Sequence, residues 1–599
     1  MSLVLGGAHP ASAATLSIEG TVTSSLTNGP MENVCITVGV PGLYCWTTTN
    51  ALGQYYIDLE AVAAQSGQQW TLYFIRAGYD TYSQTVTVDG NETLNVTMDP
   101  TPGTTPPETV PPPSNSLNPP PAVALCAGGN TTAATDAVYL PNITKTLGGP
   151  DGWQTPFIVQ NVGTTATDIE VSFYRFSDGT CMNRQIRNSL QSGTSQAYSP
   201  NAISALPDEG QFSVVVRSFG SRIVSVVNEH NQVQSATRAE AMSYNGFSAG
   251  ATSVFLPNVT RRFGGWQTPF IIQNLGTTTT TASARFVSFS GTAPEMTIFR
   301  VIESGRSKFI SPNTEVGLMD GTQYSVTVTA DQPIAVVVNT HNDDPSAAEP
   351  VAMSATGIST GAATVYGAYS AKNAGAISRF STIIVQNVGT TSVTPSLAFR
   401  PLTFSGGTSA AATTFTRSTP LAPGSSWAFD PRNVNGVQGS ALCGAAASTG
   451  CLANGEYVFV ATATAGALAA AVNVHTSGTA MGYTASAAPA DALFLPNVTR
   501  TLGGPSGWTT PIALQSVSAT GATLEWRRFS DGSLVTTQTV SMPVGAGILV
   551  DPLSVTGLTD NTQYAVTVRG TGGTISAIVI ELATGGDNAM IYEGFAATP

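Results

Sequence analysis

Lysine is almost missing from this 599-residue chain: Lys145, Lys308 and Lys372 are three of its 23 basic residues. Charged residues of both signs make up 10% of it, against about 25% in an ordinary globular protein. The 36 acidic residues leave a net charge of −13, and no basic stripe occurs anywhere. Nucleic acid is therefore excluded as a partner, because binding by counterion release needs clustered cations. No apolar run approaches the roughly 18–20 residues of a membrane-spanning helix, so no membrane insertion is expected. Histidine numbers four, and there is no Cys-x-x-Cys and no sustained helical period. These absences set aside a zinc tetrad and a helical bundle. No pair of carboxylates stands out from turn residues such as Asp178 and Asp531, so no enzyme is expected and no catalytic residue is assigned.

What is plentiful is Gly (60), Pro (37), Thr and Ser, the composition of short strands joined by tight turns. Residues 1–13 read as the remnant of a secretory signal, a short apolar stretch ending in the small-residue site Ala11-Ser12-Ala13. A secreted, extracellular or cell-surface location follows. Export suits six cysteines in three near pairs: Cys35 with Cys45, Cys126 with Cys181, and Cys443 with Cys451. Short-range disulfides are expected there, although six cysteines permit other pairings.

Residues 14–100 alternate short strands with Gly and Asn turns and read as a small β-sandwich. Its elements run Ile18-x-Gly-x-Val22, then Thr49-x-Ala-x-Gly-x-Tyr55, an Ala77-Gly-Tyr79 turn and a final pair of Val-x-Val strands. That order resembles the carboxypeptidase-regulatory-like or transthyretin-like domain, close to the CnaB modules of bacterial surface proteins. Some relatives carry a Lys-to-Asn crosslink; no Lys precedes Lys145, so none can form within this domain. Residues 101–124 are a Pro-rich linker that favours polyproline II, with a reach of about 60 Å.

The remainder is a fourfold internal repeat, with divisions at 125–250, 251–361, 362–488 and 489–599. Repeats 1, 2 and 4 open on Leu-Pro-Asn, at Asn142, Asn258 and Asn497, read as a turn. A Gly-Gly turn into Trp153, Trp266 or Trp508 follows, then a β-branched hairpin, then a terminal Ala-Met strand beginning at Ala241, Ala352, Ala480 or Ala589. Repeat 3 is divergent, replacing the first two landmarks and carrying an insertion with Cys443 and Cys451. Period-2 alternation, as at Ile169, Val171 and Phe173, marks strands with one buried face. Repeats of about 110 residues with such strands are immunoglobulin-type sandwiches by size and pattern. The stretches Leu318–Val328 and Leu558–Val568 resemble the tyrosine corner of fibronectin type III and immunoglobulin-like domains. The fold class is all-β, a multidomain array of one small transthyretin-like sandwich and four tandem Ig-like repeats.

Candidate binding residues are few. His230, His341 and His475 fall at one repeat position, where a strand-end hydrogen bond explains them better than a metal. Asp343, Asp344 and Glu349 beside His341 could form a loose Ca2+ site; otherwise no cofactor and no metal is expected. The repeated Trp residues are either packing groups or sugar platforms. Sequons at Asn142, Asn258 and Asn497 are candidate glycosylation sites, although the turn alone accounts for them. Trp70, Tyr79 and Tyr82 in the first domain are candidate glycan contacts.

The leading expectation is an exported bacterial structural protein, a subunit of an extracellular filament, sheath or S-layer. Tandem sandwiches imply a stiff rod, and a weakly charged, edge-rich surface favours non-covalent association with copies of itself, head-to-tail or lateral. The alternative is a monomeric adhesin or carbohydrate-binding protein of the cell surface, with the N-terminal domain as its tip and a cell-surface glycan as partner.

Overall fold

The computed structural model describes residues 17–26, 31, 34–38, 47–49, 53–58, 67–76, 78–101, 125–231, 239–342, 351–403, 411–584 and 587–597. It is an array of β-sandwiches with 59% of its residues in strands, and the helical turns among the described residues are three short 3-10 segments. No helix among them is long and apolar enough to cross a membrane. The chain divides into two compact bodies, one holding residues 1–116 with 296–301 and the other residues 117–295 with 302–599.

In the first body the strand Ser17–Ser24 pairs with Gln54–Asp58, Asn91–Thr93 and Val96–Met98. A second sheet runs Thr47–Thr48, Cys35–Val38, Gln68–Ile75, Tyr82–Val88. Between them lie Ile18, Val22, Ile36, Leu72 and Phe74, the inward residues of a period-2 pattern. Cys35 is disulfide-bonded; Cys45, its expected partner, lies outside the described residues, as does the Pro-rich linker at 102–124.

In the second body repeat 1 shows the plan. One sheet orders Cys181–Leu190, Thr167–Arg175, Gly210–Ser218 and Asp136–Lys145; the facing sheet orders Ser195–Tyr198, Phe157–Asn161, Ile223–Asn231 and Glu240–Asn245. Phe157, Phe173, Phe212, Val214 and Val227 fill the space between. Tyrosine corners recur: Tyr324 accepts the Met319 N–H at 2.8 Å, Tyr564 accepts the Thr559 N–H at 2.8 Å, and Tyr457 donates to the Ala453 carbonyl at 2.8 Å. Disulfides join Cys126 to Cys181 and Cys443 to Cys451.

The four repeats do not form the rod that a tandem array implies. Their terminal strands, Glu240–Asn245, Val351–Thr356, Ala480–Thr484 and Ala589–Glu593, pack in a closed circuit: first on second, second on third, third on fourth, fourth on first. The physical reason is that each strand leaves its sandwich with both faces apolar or hydrogen-bonded and must be covered on the side away from its own core. Ala241, Ala352, Ala480 and Ala589 are all fully buried on that side. Further along, Ser243 donates to the Ile591 carbonyl at 2.9 Å and Asn245 donates to the Glu593 carbonyl at 2.7 Å, linking repeats 1 and 4. Thr484 donates to the Glu593 carboxylate at 2.8 Å and meets Thr356 at 3.2 Å. Where the circuit is tightest the strand carries Gly482, at which a Cβ would stand 2.7 Å from the Ser354 carbonyl. Gly482→Ala is expected to lower stability by about 1–3 kcal/mol, read as a shifted urea midpoint.

The flanks of the ring repeat one joint. Gln386 of repeat 3 donates to the Val326 carbonyl of repeat 2, and Gln515 of repeat 4 donates to the Phe459 carbonyl of repeat 3. Ser213 of repeat 1 donates to Gly305 of repeat 2, while Ser195 of repeat 1 closes the ring by bonding Phe529 of repeat 4. Ile158 and Val226 of repeat 1 belong to the core of repeat 4.

Candidate functional site

The joints of this ring gather the polar residues that recur along the sequence. Three of them begin at Leu-Pro-Asn, which is not a turn. Asp136–Lys145 runs straight through it, and so do Ala251–Phe263 and Ala492–Arg500. The ladder skips there, with register shifts opposite Phe212/Val214, at Leu256/Val259 and at Leu495/Val498. Proline has no N–H for a ladder and is tolerated in a strand only where a bulge has already broken it. The bulge turns the following Asn inward. Three residues after Asn142 a cation clamps the loop beneath: Lys145 donates to the carbonyls of Ile203 and Leu206, and in repeat 3 Lys372 donates to those of Gly444 and Leu452. Two of the three lysines thus serve the interior.

Inward-turned Asn142 donates to Glu229 at 3.1 Å, and Asn339 of repeat 2 donates to the same Oε2 at 3.1 Å. The equivalent joint between repeats 4 and 1 places Glu581 between Asn497 and Asn228, the latter at 3.2 Å. Both carboxyls are buried among apolar strands. Burial pushes each up to about 8, against the smaller opposing effect of the amide hydrogen bonds. At neutral pH they are mostly protonated carboxyl groups. At Glu229 one oxygen accepts two amides and Oε1 has no partner, the pattern of a neutral acid.

Asp587 holds one end of the axis. Its carboxylate accepts the Ala352 N–H at 2.6 Å and the Ala480 N–H at 2.8 Å, and its own N–H donates to the Ala239 carbonyl at 2.9 Å. One residue of repeat 4 therefore binds repeats 1, 2 and 3 together. At the opposite end a pit of about 330 Å³ is lined by Asn245, Thr356, Thr484 and Glu593, one residue from each repeat.

The histidines and tryptophans meet across the joints. Trp153 packs edge-on to His341 at 5.3 Å, and Trp266 edge-on to His475 at 5.2 Å. Trp508 and His230 line one cavity of about 230 Å³ between repeats 4 and 1. Each Trp thus meets the His of the next repeat in the circuit. Burial, then the Arg432 charge, pulls His475 down to about 4, and burial lowers His230 as well, so both imidazoles are neutral. Between repeats 2 and 3 the same joint opens into a cavity of about 330 Å³ lined by Asn258, Trp266, Phe380, Arg432, Asn473 and His475.

Two sequence expectations are corrected here. Asn142 and Asn497 are 4% and 5% exposed with their amides committed to Glu229 and Glu581, so neither can carry a glycan in the folded ring. Asn258 is half-buried and faces the cavity. Of the candidate glycan contacts in the first body, Trp70 and Tyr79 pack against its core, Tyr79 bonding Ser24 at 3.0 Å. Tyr82 is 37% exposed. Asp343, Asp344 and Glu349 lie outside the described residues, and among the described ones no group of three metal-ligating side chains occurs. Sequence reasoning missed Glu229, Glu581 and Asp587. The signal available for the first two was a carboxylate at one repeat position in two repeats, inside an otherwise apolar strand.

No family model matches the chain, and no curated protein matches it. Among solved structures it is similar to the Bacillus anthracis TIE protein, with 9% identity over 52% of this chain and 48% of that one and a TM-score of 0.12. It is also similar to BcpA, the major pilin subunit of Bacillus cereus (8%, 53% and 86%, TM-score 0.11). A third is the full-length RrgB pilus protein of Streptococcus pneumoniae (8%, 79% and 94%, TM-score 0.15). The chain spans about half the length of the TIE protein chain. At such TM-scores none of the three carries an argument about this protein.

Proposed function

We propose that this chain is an exported, non-catalytic structural protein whose four-sandwich ring is the rigid body of a subunit in an extracellular filament, sheath or S-layer. Low charge, signal-like N-terminal residues and the disulfides support export. The faces that would serve head-to-tail growth are occupied inside the molecule, since a heterologous contact whose rotation closes gives a ring and not a filament. Association is therefore lateral.

The observation that carries this reading is the set of open edges. Among the described residues, Cys181–Leu190, Thr413–Thr416 and Leu534–Ser541 each pair on one side only. Ile186 and Leu534 on two of them are 56% and 52% exposed. Unpaired strand edges with apolar side chains are templates for another chain. Electron microscopy and light scattering of the mature protein are expected to show regular polymers that the double variant Ile186→Lys, Leu534→Lys abolishes without changing the circular dichroism spectrum. Discrete particles of the unaltered protein at every concentration would overturn the proposal.

A further inference from the structure

Two of the four joints of the ring hold a buried carboxyl; the joint between repeats 3 and 4 has the apolar Val474 and Ile580 at these positions, and the joint between repeats 2 and 3 keeps the amides without the carboxyl. Between repeats 1 and 2, and between repeats 4 and 1, two Asn amides converge on a buried carboxyl: Asn142 and Asn339 on Glu229, Asn497 and Asn228 on Glu581. Between repeats 2 and 3 the two amides are again present, as Asn258 and Asn473, but Thr340 stands where the Glu would be. Its short side chain bonds Thr268 at 3.4 Å and reaches neither amide. Asn258 accepts Gln323 on Oδ1 at 3.2 Å, which fixes its amide orientation with the NH2 as the free end. No hydrogen bond engages the side chain of Asn473. Both line the cavity of about 330 Å³ at this joint. Two half-buried donors thus face a space that a carboxyl fills elsewhere in the same molecule.

The rest of the lining points to what carries that carboxyl. Trp266 and Phe380 flank His475 at 5.2 and 5.3 Å. Arg432 lies 3.3 Å from the centroid of the Phe380 ring and is held by Asp430 at 2.7 Å, and both line the cavity, so the pair adds fixed polar groups there without net charge. Gln438 and Ser477 at the rim are exposed. An aromatic wall beside converging amide donors suits a polyhydroxylated ring bearing an acid, because C–H faces stack on the aromatic surface while the carboxylate takes charge-assisted hydrogen bonds. The volume lies in the range of small-ligand sites.

We propose that the cleft between repeats 2 and 3 binds a hexuronate, with its carboxylate on Asn258 and Asn473 and its ring against Trp266. The site stands whether or not rings assemble.

Calorimetric titration of the full chain with galacturonate, oligogalacturonate, galactose and acetate tests it. Expected is binding of galacturonate at least tenfold tighter than galactose or acetate; oligogalacturonate binding tighter still would identify a polymer as the source, and equal binding the free sugar. The decisive variant is Thr340→Glu, which restores the missing carboxyl and is expected to abolish uronate binding while leaving the thermal midpoint unchanged or raised. Asn473→Ala, which adds no bulk, is expected to weaken binding at least tenfold and covers the case in which Thr340→Glu fails to fold. No uronate heat at tens of millimolar, equal affinity for galactose, or binding undiminished in both variants would each overturn the assignment.

Discussion

Asp587→Ala is expected to lower the unfolding free energy by about 2–6 kcal/mol and to open the ring before the sandwiches melt. The estimate follows from leaving two buried backbone donors, the N–H groups of Ala352 and Ala480, without acceptors at about 1–3 kcal/mol each. Asp587 is 1% exposed, so water cannot replace the carboxylate without entering the axis. Asp587→Asn keeps a single acceptor oxygen and is expected to lose about half as much. Urea titration followed by tryptophan fluorescence, with limited proteolysis of the connectors near Gly250 and Gly361, separates opening from unfolding. A variant with the wild-type midpoint and proteolytic pattern would show that the axis is held by apolar packing instead.

The second large effect is on pH. Glu229 and Glu581 bind their protons more tightly folded than unfolded, with folded values of about 8. A raised carboxyl contributes stability that is fully present below its unfolded value near 4.5 and is lost as pH rises through 8. His475, pulled down to about 4, acts oppositely and is settled above 6.5. The window from 6.5 to 8 therefore reads the carboxyls alone, each costing about 2 kcal/mol across it. Glu593, which burial also raises, adds in the same direction. The double variant Glu229→Gln, Glu581→Gln keeps an acceptor for both amides without an ionisable proton. It is expected to flatten the decline and to be the more stable protein at pH 8. A parallel decline in both proteins would place the pH dependence elsewhere.

Much of the fold was legible because period-2 alternation and tyrosine corners are local. Ile169, Val171 and Phe173 point to a core that their own hairpin supplies. Ring closure was not legible in that way, since it concerns what lies against the second face of a strand. A trace exists: Phe157–Asn161 and Ile575–Leu582 are almost entirely buried, the first an unbroken apolar and amide run and the second apolar apart from Ser576 and Glu581, which is how strands covered on both faces are written. The joints were misread for a related reason. Leu-Pro-Asn is turn chemistry in isolation, and only the neighbouring Glu shows that the Asn is wanted inside. Asp587 had no signal at all, because its partners are backbone groups of three other repeats.

Closure also sets an order of events in time. The hydrogen bond from Arg222 to Ala597 spans 375 residues of sequence, and that from Ser243 to Ile591 spans 348. Contacts so distant along the chain form slowly, because their loop entropy is lost before they return anything. During synthesis or export, repeat 1 is complete while Ile158 and Val226 still await repeat 4, which leaves a sticky interval in which two incomplete chains can exchange a terminal repeat instead of closing on themselves. A chain of this design is therefore best made dilute or escorted, and its swapped dimers, once formed, would keep every joint intact.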